Sequence, residues 1–372
     1  MRFLHLATDA AFIDYAVSSF ERQGFGNNTV LMVGESPRRV QTPVTTISRR
    51  DAFTAGMLTT IPSADVIVAH ALDPFWLPTL GRLSRQTKIL WLGWGYDYYD
   101  LVHRSSSALL LQQTREAMQG LAPASLKSLV RKPARLAVRN YKKWLLPNLD
   151  FFAPVLPEEY HLVRKGVNVA RFPEQAIWNY GHLSNLVADR ASQLRPDSNS
   201  ILVGNSATAE SNHLDAFSLI TRAGAMDRDI LVPLSYGNTA YRLLILEQGR
   251  QKFADRFIPL LDHAPLDQYQ QTLMNCSHVI MNHVRQQALG NIIMMLHLGS
   301  MLFLNPACPT LTFFRAHGAI VHTTADLERD PSLLRYRLTP DEVSRNRHML
   351  ESWWGQSASD ERTRILLNQL HA

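Results

Sequence analysis

The chain has 372 residues, of which 46% are hydrophobic and 19% charged, with 38 Lys and Arg against 32 Asp and Glu. This composition excludes disordered, collagenous and disulfide-stapled proteins, and the length predicts two ordinary domains. The only two cysteines, Cys276 and Cys308, are too few for a disulfide framework or a cysteine-based zinc site and favour a reducing compartment.

The first part of the chain alternates strand and helix patterns. RFLHLA predicts a strand, residues 10–24 predict an amphipathic helix that ends at Gly24, and NTVLMVG predicts the next strand. ADVIVAHA, TKILWLGWG and DFFAPVL are further short apolar runs between helical or turn-rich stretches. Strands that alternate with helices predict an α/β domain with a parallel sheet.

Candidate catalytic residues lie in or after these strands. WLGWGYDYYD places Trp91, Trp94 and Asp97 at a strand end. An apolar setting raises the pKa of a carboxyl, so Asp97 is the first candidate to hold a sugar hydroxyl or act as a general base. His70 and His5 are the next candidates for the base, although histidines in such strands are more often hydrogen-bonded core residues.

Most of the positive charge lies between residues 101 and 149. Nine cations against one glutamate give this segment a net charge of +8, which leaves −2 for the rest of a chain whose total is +6. Leucine and aromatic residues interleave with the cations at helical spacing, as in a helix at a membrane surface, where each cation near anionic lipid adds about 1 kcal/mol. The alternatives are a solvated helix face and, less favoured, a nucleic-acid surface. The predicted docking residues are Lys127, Arg131, Lys132, Arg135, Arg139, Lys142 and Lys143.

No segment of the sequence is predicted to span a bilayer. The most apolar run, residues 292–304, is interrupted by polar residues and falls short of the roughly 20 residues that a spanning helix needs. Asp9 and Asp14 interrupt the N-terminal region where a signal peptide requires an apolar stretch. We therefore expect peripheral association from the cytoplasmic side.

A polar stretch divides the sequence. VADRASQLRPDSNS predicts a linker over residues 186–200, between an N-terminal domain of residues 1–185 and a C-terminal domain of residues 201–372. A second alternation follows, with strands at ILVG, DILVPLSY, RFIPLLDH, SHVIMNH and SMLFLN and a helix between each pair. Two Rossmann-like domains facing a cleft are therefore expected, with ligands beyond the carboxyl ends of the strands.

The first loop of the second domain predicts an anion site. Gly204, Asn205 and Ser206 lead from a strand into a helix. Glycine permits close backbone approach, Ser211 or Asn212 suits a helix cap, and free N–H groups at a helix start favour a diphosphate.

Two further loops of this domain carry ligand-binding side chains. Tyr236 in PLSYGN suits stacking on a base or sugar, and Asn238 suits hydrogen bonds to hydroxyls or phosphate. In NHVRQQALGN, Arg285 suits phosphate in a fork geometry, Gln287 follows it, and Gly290 lies at a helix start. The residues DRD at 227–229 spell a DxD metal motif but precede a strand, so a solvated turn and no metal site are predicted.

Four of these motifs, in order, resemble glycosyltransferase family 56, the TDP-N-acetylfucosamine:lipid II N-acetylfucosaminyltransferases of bacterial surface-polysaccharide assembly. WLGWGYDYYD stands where the family has WxxWGxDxYE, and ILVGNS with a downstream SNxH is similar to ILVGNS…SNEH. PLSYGNxxY resembles the family's PMGY segment, and RQQALGN stands where the family has RQQGIGT. The shared pattern runs from the first strand to about Asn305, and the change of Gly-Ile-Gly-Thr to residues 288–291, ALGN, alters the donor-side loop.

The resemblance implies a GT-B fold, a dTDP-sugar donor in the second domain and a polyprenyl-diphosphate-linked acceptor at the first. We accordingly predict a hexosyltransferase that transfers N-acetylfucosamine (4-acetamido-4,6-dideoxygalactose), or a related deoxy-sugar, to an undecaprenyl-diphosphate-linked saccharide at the bacterial inner membrane. Gly204, Asn205, Ser206, Arg285 and Gln287 would bind the diphosphate and sugar, and the Tyr236 loop the nucleotide side. A helix N-terminus and an arginine stabilise a departing diphosphate without a metal or other cofactor.

Two other classes of function are open to the sequence. The first is a soluble nucleotide-sugar-modifying enzyme such as an epimerase, although the chain lacks a glycine-rich dinucleotide fingerprint and a Tyr-x-x-x-Lys pair. The second is a non-catalytic membrane-docked binding module, which would not need polar loops at so many strand ends.

Overall fold

The computed structural model describes residues 1–53, 61–82, 87–103, 105–121, 126–187, 194–195 and 197–371. For Phe53, Leu121 and residues 126–132 it describes the backbone alone. The chain forms two compact units. The first unit comprises residues 1–104, 125–182 and 356–372, and the second comprises residues 105–124 and 183–355.

The first unit contains a parallel seven-stranded sheet, with strands ordered β3-β2-β1-β4-β5-β6-β7. These are β1 (Phe3–Ala7), β2 (Asn28–Val33), β3 (Val44–Ile47), β4 (Val66–His70), β5 (Lys88–Leu92), β6 (Phe151–Ala153) and β7 (Glu174–Gln175). With helices numbered along the whole chain, its helices are α1 (Phe12–Arg22), α2 (Leu77–Arg82), α3 (Tyr99–Val102), α5 (Leu126–Leu145), α6 (Glu159–Gly166) and α15 (Gln356–His371).

The second unit contains a parallel six-stranded sheet, ordered β10-β9-β8-β11-β12-β13. Its strands are β8 (Ser200–Val203), β9 (Ile230–Pro233), β10 (Phe257–Leu260), β11 (Cys276–Met281), β12 (Met301–Leu304) and β13 (His322–Thr323). Its helices are α4 (Gln112–Leu121), α7 (Leu183–Leu186), α8 (His213–Arg222), α9 (Thr239–Phe253), α10 (Leu266–Leu273), α11 (Leu289–Leu298), α12 (Pro309–Ala316), α13 (Thr324–Arg329) and α14 (Pro340–Trp354).

The central strands of both sheets are apolar along their length because helices cover both faces of a parallel sheet. All five residues of β4 and all four of β8 are buried. The predicted α/β class is confirmed. In each sheet the strand order reverses direction once, between β1 and β4 and between β8 and β11. We call these the first and second switch points; loops diverge there and leave a crevice at the carboxyl edge of the sheet.

The two units differ from the predicted domains at the C-terminus. Helix α15, which lies in the predicted C-terminal domain, packs on the first sheet. Leu366, Leu367 and Leu370 of this helix join the core around β1, and Trp178 Nε1 donates to Thr363 Oγ1 at 3.0 Å. The amphipathic spacing of a helix shows that it must bury one face, but not which sheet it covers.

A second difference involves the segment around α4, which belongs to the second unit although it lies in the predicted N-terminal domain. Asp215 of α8 accepts hydrogen bonds from the backbone N–H groups of Gln113 and Thr114, both at 3.0 Å. Of the predicted linker, residues 188–193 and 196 lie outside the described residues. Among the helices that the structure describes, none is both long and apolar enough to cross a bilayer.

Candidate active site

The second switch point is built on a glycine that no other residue can replace without strain. Gly204 follows β8 with φ +66°, and a Cβ at this position would lie 2.6 Å from His213 Nε2. The left-handed backbone and this close approach both require glycine. The imidazole of His213, at the start of α8, therefore lies directly against the Gly204 backbone.

Three loops that follow different strands meet at this point. Asn205 Nδ2, after β8, donates to the hydroxyl of Tyr236, after β9, at 2.9 Å. Gln287 Nε2, after β11, donates to Asn205 Oδ1 at 2.9 Å and to Thr208 Oγ1 at 3.1 Å. The structure thus brings together predicted donor-binding residues from all three loops.

Several buried polar atoms beside these loops have no hydrogen-bond partner among the described residues. They are both ring nitrogens of His283, Nε2 of His213 and Oε1 of Gln287. Burial lowers the pKa of His213 and of His283 to about 3, and in His283 the positive charge of Arg285 adds to this effect. Both rings are therefore neutral near pH 7. Unpartnered buried polar groups are rare, and they call for a water or a ligand.

Sequence reasoning missed His283. Its signal was its position, two residues after the end of the buried strand β11 and within the loop that carries Arg285.

The predicted phosphate-binding arginine is paired with an acidic residue. Arg285 Nε lies 2.7 Å and Nη2 2.6 Å from Glu210 Oε2, and Nη1 donates to the Gln286 carbonyl at 2.8 Å. The two side chains of the pair are 13% and 25% exposed. Glu210 was not predicted to take part. It holds the guanidinium in one orientation, so a bound phosphate would share this arginine with the glutamate or displace the glutamate from it.

Asn212 was predicted to bind the donor, and this prediction is wrong. The residue is fully buried with φ +51°, and its side chain makes no cap bond to α8. Its Oδ1 accepts from Leu111 N at 2.8 Å, and its Nδ2 donates to the carbonyls of Leu109 and Asn282 at 3.2 and 3.0 Å. Asn212 joins the segment before α4 to the donor-side loops after β8 and β11.

Two more predicted donor residues make bonds within the protein. Ser211 is fully buried, and its hydroxyl donates to the Ser206 carbonyl at 3.2 Å. Asn238 caps α9, since its Oδ1 accepts from Tyr241 N at 2.9 Å. Ser211 therefore holds its loop in shape, which corrects the prediction that its side chain binds the donor. Asn238 is exposed, so its contact with the donor stays a prediction.

The start of α11 differs from the family motif in a way that the backbone explains. Ala288 precedes α11 with φ +62°, the conformation that favours glycine, and the family motif has glycine here. Gly290 lies in the first turn of the helix, near Leu186. The helix N-terminus thus faces the same loop as Arg285, with a strained alanine at its start.

In the first unit, the predicted base Asp97 is buried and fully engaged. It is 1% exposed; Oδ2 accepts from Leu72 N at 2.9 Å and from Trp91 Nε1 at 2.7 Å, and Oδ1 accepts from Trp94 N at 2.8 Å. Burial raises the pKa of this carboxyl, against the opposing charge of Lys142. Asp97 therefore joins the loops after β4 and β5, and the predicted role as a base open to substrate is wrong.

His5 and His70 lie on adjacent strands at the first switch point and form one hydrogen-bonded chain. His5 Nδ1 lies 2.9 Å from His70 Nε2, His5 Nε2 lies 3.1 Å from Asn28 Oδ1, and His70 Nδ1 lies 2.8 Å from the Tyr180 hydroxyl. Trp94 Nε1 donates to the same hydroxyl at 2.7 Å.

The direction of every proton in this chain can be assigned from its two ends. Asn28 Nδ2 donates to the Phe25 carbonyl at 2.7 Å, which turns Oδ1 toward His5 as an acceptor. Since the indole of Trp94 can only donate, hydrogen bonds run from Trp94 through Tyr180, His70 and His5 to Asn28, with each imidazole neutral and protonated on Nε2.

The chain leaves neither histidine a free nitrogen. Burial lowers the pKa of His5 to about 4 and that of His70 well below its usual value. Both are fully buried, with both nitrogens occupied. The prediction that His70 or His5 acts as the base is therefore wrong, and the alternative of hydrogen-bonded core histidines is correct.

A carboxylate that the sequence analysis did not single out lies at the same edge of this sheet. Asp73 follows β4, is partly exposed, and accepts from Phe75 N at 3.0 Å and from the Tyr96 hydroxyl. Burial raises its pKa, although Phe75 N, Lys142, Tyr96 and Arg49 oppose the shift. Asp73 therefore combines access to solvent with a raised pKa, which suits a general base.

The basic helix α5 carries only part of the predicted docking surface. Lys142 is buried, with Nζ 2.8 Å from the Asp97 carbonyl and 3.0 Å from Asp100 Oδ2, so its predicted role in docking is wrong. Arg139 is half-buried and Nη2 lies 3.5 Å from the Leu101 carbonyl. Lys143 is also half-buried, and Arg135 is exposed. The side chains of Lys127, Arg131 and Lys132 lie outside the described residues.

Besides Arg135, two large apolar side chains of α5 are exposed. Leu136 is 53% and Trp144 57% exposed, and Ala137 and Asn140 lie on the same face. Exposed leucine and tryptophan side chains are contacts that an interfacial helix uses. Arg135 directly precedes Leu136, whereas Trp144 lies nine residues further along and points to the opposite side of the helix from Arg135.

The DxD sequence lies in a turn, as predicted, with Asp227 exposed and Asp229 partly exposed, but its central arginine is not solvated. Arg228 is 5% exposed, and its guanidinium donates to the carbonyls of Asn199 and Leu334 and to Ser277 Oγ. Its hydrogen bonds join the residue before β8 and a residue of β11 to Leu334. Within the residues that the structure describes, no group of three or more His, Cys, Asp or Glu is placed to hold a metal ion.

Comparison with known families supports the predicted resemblance. Residues 171–329 match the family model described as 4-alpha-L-fucosyltransferase, glycosyl transferase group 56. The match includes all three donor-side loops after β8, β9 and β11.

Solved structures of glycosyltransferases resemble the whole chain. HepE from Anabaena, in complex with UDP and glucose, aligns with a TM-score of 0.66 at 10% identity over 99% of both chains. Sucrose-phosphate synthase from Thermosynechococcus elongatus aligns with a TM-score of 0.62 at 13% identity, over 100% of this chain and 99% of that one. The lipopolysaccharide outer core galactosyltransferase WaaB has a TM-score of 0.61 at 8% identity over 99% of both chains. At these identities the similarity is one of fold, and it confirms the predicted GT-B fold. With the family match, the predicted enzyme class, a glycosyltransferase, is also confirmed.

Proposed function

We propose that this glycosyltransferase transfers N-acetylfucosamine, or a related deoxy-sugar, from dTDP to an undecaprenyl-diphosphate-linked saccharide in bacterial surface-polysaccharide synthesis. The observation that carries the proposal is the convergence of three polar loops at the second switch point, around buried nitrogen and oxygen atoms that have no hydrogen-bond partner in the described part of the chain. Such a site suits a ligand rich in hydrogen-bonding oxygens, as a nucleoside-diphosphate sugar is.

The donor diphosphate would lie at the N-terminus of α11, beside Arg285. A helix N-terminus and a guanidinium both stabilise the negative charge that develops when a diphosphate leaves. Asn205 and Gln287 would bind the sugar, and Tyr236, which is 55% exposed, would stack on the nucleotide. The solved HepE complex contains UDP, which supports a nucleotide ligand for this fold. The choice of dTDP rests on the resemblance to family 56.

The acceptor hydroxyl would be deprotonated by Asp73 in the first unit. This residue replaces Asp97 as the proposed base because it is accessible and has a raised pKa, whereas Asp97 is enclosed by three N–H donors. The proton would pass from the acceptor hydroxyl to the Asp73 carboxylate as the hydroxyl oxygen attacks the anomeric carbon and the dTDP departs.

Peripheral membrane binding through α5 is the third part of the proposal. Leu136 and Trp144 would insert at the cytoplasmic face of the inner membrane, close to the lipid-linked acceptor, and Arg135 would reach the anionic headgroups. An exposed cation with two exposed apolar side chains on one helix supports this arrangement.

Transfer of radiolabel from a dTDP-sugar to a polyprenyl-diphosphate-linked saccharide tests the reaction, with dTDP, UDP and GDP affinities measured by calorimetry. We expect the tightest binding for dTDP, and a clear preference for UDP or GDP would contradict the donor assignment. A labelled product that stays in the aqueous phase would instead favour a soluble nucleotide-sugar-modifying enzyme.

The base is tested by Asp73→Asn, with Asp65→Asn as a matched control at the opposite end of β4. A general base contributes about 10²- to 10⁴-fold to the rate, so Asp73→Asn should lower kcat by at least 100-fold while dTDP affinity stays the same. Asp65 is exposed and should tolerate the change. Full turnover in Asp73→Asn would exclude it as the base.

Membrane binding is tested by flotation with vesicles that contain anionic lipid. The variant Arg135→Glu/Leu136→Ser/Trp144→Ser should remain with the soluble fraction but bind dTDP normally. Arg364→Glu/Ile365→Ser, which makes similar changes at exposed positions of α15, should still float. Equal flotation of both variants would show that α5 does not dock the protein.

A further inference from the structure

The first switch point carries a group of aromatic side chains, the aromatic platform, made of Phe12, Trp94, Tyr96 and Tyr180. Phe12 is the first residue of α1, Trp94 and Tyr96 follow β5, and Tyr180 follows β7. The ring of Phe12 lies 5.7 Å from that of Trp94 and 5.6 Å from that of Tyr180, and Trp94 lies 6.3 Å from Tyr96. The platform is therefore continuous at the carboxyl edge of the sheet.

Two members of the platform are open to solvent. Phe12 is 46% and Tyr96 49% exposed, whereas Trp94 and Tyr180 are half-buried behind them. Aromatic rings are costly to leave in water, and exposed groups of them usually mark a binding surface. A crevice beyond the carboxyl ends of parallel strands is where such a surface binds small ligands.

The half-buried rings are held by the hydrogen-bonded chain of the first switch point. Trp94 Nε1 donates to the Tyr180 hydroxyl at 2.7 Å, and that hydroxyl donates to His70. The rings of Trp94 and Tyr180 are therefore fixed in orientation before a ligand binds. A preorganised aromatic surface loses little entropy on binding.

The rim of the platform is polar. The Tyr96 hydroxyl donates to the Asp73 carboxylate, and Asp73 is partly exposed beside it. A saccharide matches this combination, because the C–H face of a pyranose ring packs on aromatic rings while its hydroxyls bind carboxylate and phenol oxygens. An isoprenoid chain would leave the carboxylate next to hydrocarbon without compensation.

We propose that the aromatic platform is a stacking subsite for a pyranose ring of the acceptor saccharide, with Asp73 oriented toward one of its hydroxyls. The inference rests on the proposed function for the identity of the acceptor. It assigns recognition to the sugar portion of the acceptor, so the lipid is held elsewhere.

Saturation-transfer NMR on the full chain tests the subsite without donor or transfer. The probes are the methyl glycosides of glucose, N-acetylglucosamine and glucuronic acid, with farnesyl diphosphate as the isoprenoid. We expect at least one glycoside to receive saturation, and Phe12→Ala and Tyr96→Ala each to lower it at least fivefold. Tyr96→Phe, which keeps the ring, should lower it less.

Tyr336→Ala is the matched control, since Tyr336 is 59% exposed in the second unit. It should leave the signal unchanged. Thermal melting and dTDP affinity of each variant confirm that the chain is folded. Saturation of no glycoside, of farnesyl diphosphate alone, or of a glycoside to the same extent in all variants would overturn the inference.

The transfer assay separates this inference from the proposed function. With turnover present, Phe12→Ala should raise the KM for the acceptor at least fivefold and change the KM for the donor less than twofold. With turnover absent, platform-dependent saturation would still support the subsite while the proposed reaction fails. A normal KM for the acceptor in both alanine variants would contradict the proposed subsite but not the proposed reaction.

Discussion

The two switch points share one topology but differ in how their buried polar atoms are satisfied. At the first, Asn28, His5, His70, Tyr180 and Trp94 form a chain in which both nitrogens of each histidine have a partner. At the second, both nitrogens of His283 and Oε1 of Gln287 have none among the described residues.

The difference separates two uses of buried polar groups. A fully satisfied network fixes side-chain orientation and needs nothing from outside the protein. An incompletely satisfied network gains its missing bonds when a ligand or water arrives. The first switch point is therefore a rigid support for the aromatic platform, and the unsatisfied atoms of the second support the proposal that the donor binds there.

The largest effect is expected at Gly204, where the second switch point has its closest contact. Gly204→Ala adds a left-handed alanine, at about 1–2 kcal/mol, and a clash with His213 that we place at about 1–3 kcal/mol. dTDP binding should be lost as the loop shifts. Urea unfolding and calorimetry measure both effects.

Gly224→Ala is the matched control for Gly204→Ala. Gly224 has nearly the same φ, +71° against +66°, but a Cβ there would meet no atom within 4 Å. Gly224→Ala should cost only the left-handed alanine, about 1–2 kcal/mol, with dTDP affinity intact. Equal losses in the two variants would show that the contact with His213 contributes nothing.

At the first switch point, the buried His5 should make the free energy of unfolding depend on pH in the acid range. A folded-state pKa of about 4 for His5 against 6.5 when unfolded means that the unfolded chain binds more protons between these pH values. Stability is therefore complete above pH 6.5 and falls as pH drops toward 4, by about 3 kcal/mol for this residue. Urea unfolding at pH 7 and pH 4 should show a fall about 3 kcal/mol larger in the wild type than in His5→Gln. Parallel curves would place the protonation elsewhere.

At the second switch point, substitutions of Arg285 and Glu210 distinguish a ligand-binding role of Arg285 from a purely structural one. Arg285→Met should weaken dTDP at least tenfold, because a charge-assisted bond contributes about 1.5–3 kcal/mol. Glu210→Gln releases the guanidinium from its ion pair and should hold or improve affinity. If instead both variants lose stability and neither changes the calorimetric dissociation constant for dTDP, Arg285 only stabilises its loop and does not bind the donor.

The smallest effect is expected from restoring the family's glycine at the start of α11. Ala288→Gly relieves a left-handed alanine but increases the freedom of the unfolded chain, for a net gain of about 0.5–1 kcal/mol. Ala223→Gly, at a residue with φ −74°, should destabilise instead. Chemical denaturation of the two variants should therefore shift in opposite directions.

Much of the fold could be predicted from the sequence because its strands are continuous apolar runs and its helices are amphipathic. Strands β1, β4, β8 and β11 each stand in the predicted place, and the alternation specified a parallel α/β arrangement. Short strands such as β7 and β13, with two residues each, carry no periodic pattern and were not predicted.

For the site, the sequence showed which loops carry polar side chains but not how each side chain is used. Asn212 and Asp97 have the residue types of ligand contacts, yet backbone groups from distant segments occupy them. Glu210 and His283 joined the second switch point only because folding places the ends of the loops after β8 and β11 side by side. Asp73 joined the first switch point because folding places it beside Tyr96, which follows the neighbouring strand β5.

By itself the sequence determined the strand and helix alternation and the loops that hold the chemistry, because hydrophobic period and turn residues are local signals. Tertiary structure alone decided the partner of each buried polar group and the sheet on which α15 packs. The physical reason is that hydrogen bonds and helix packing depend on distances between segments far apart in the chain, and the pattern of one segment does not record them.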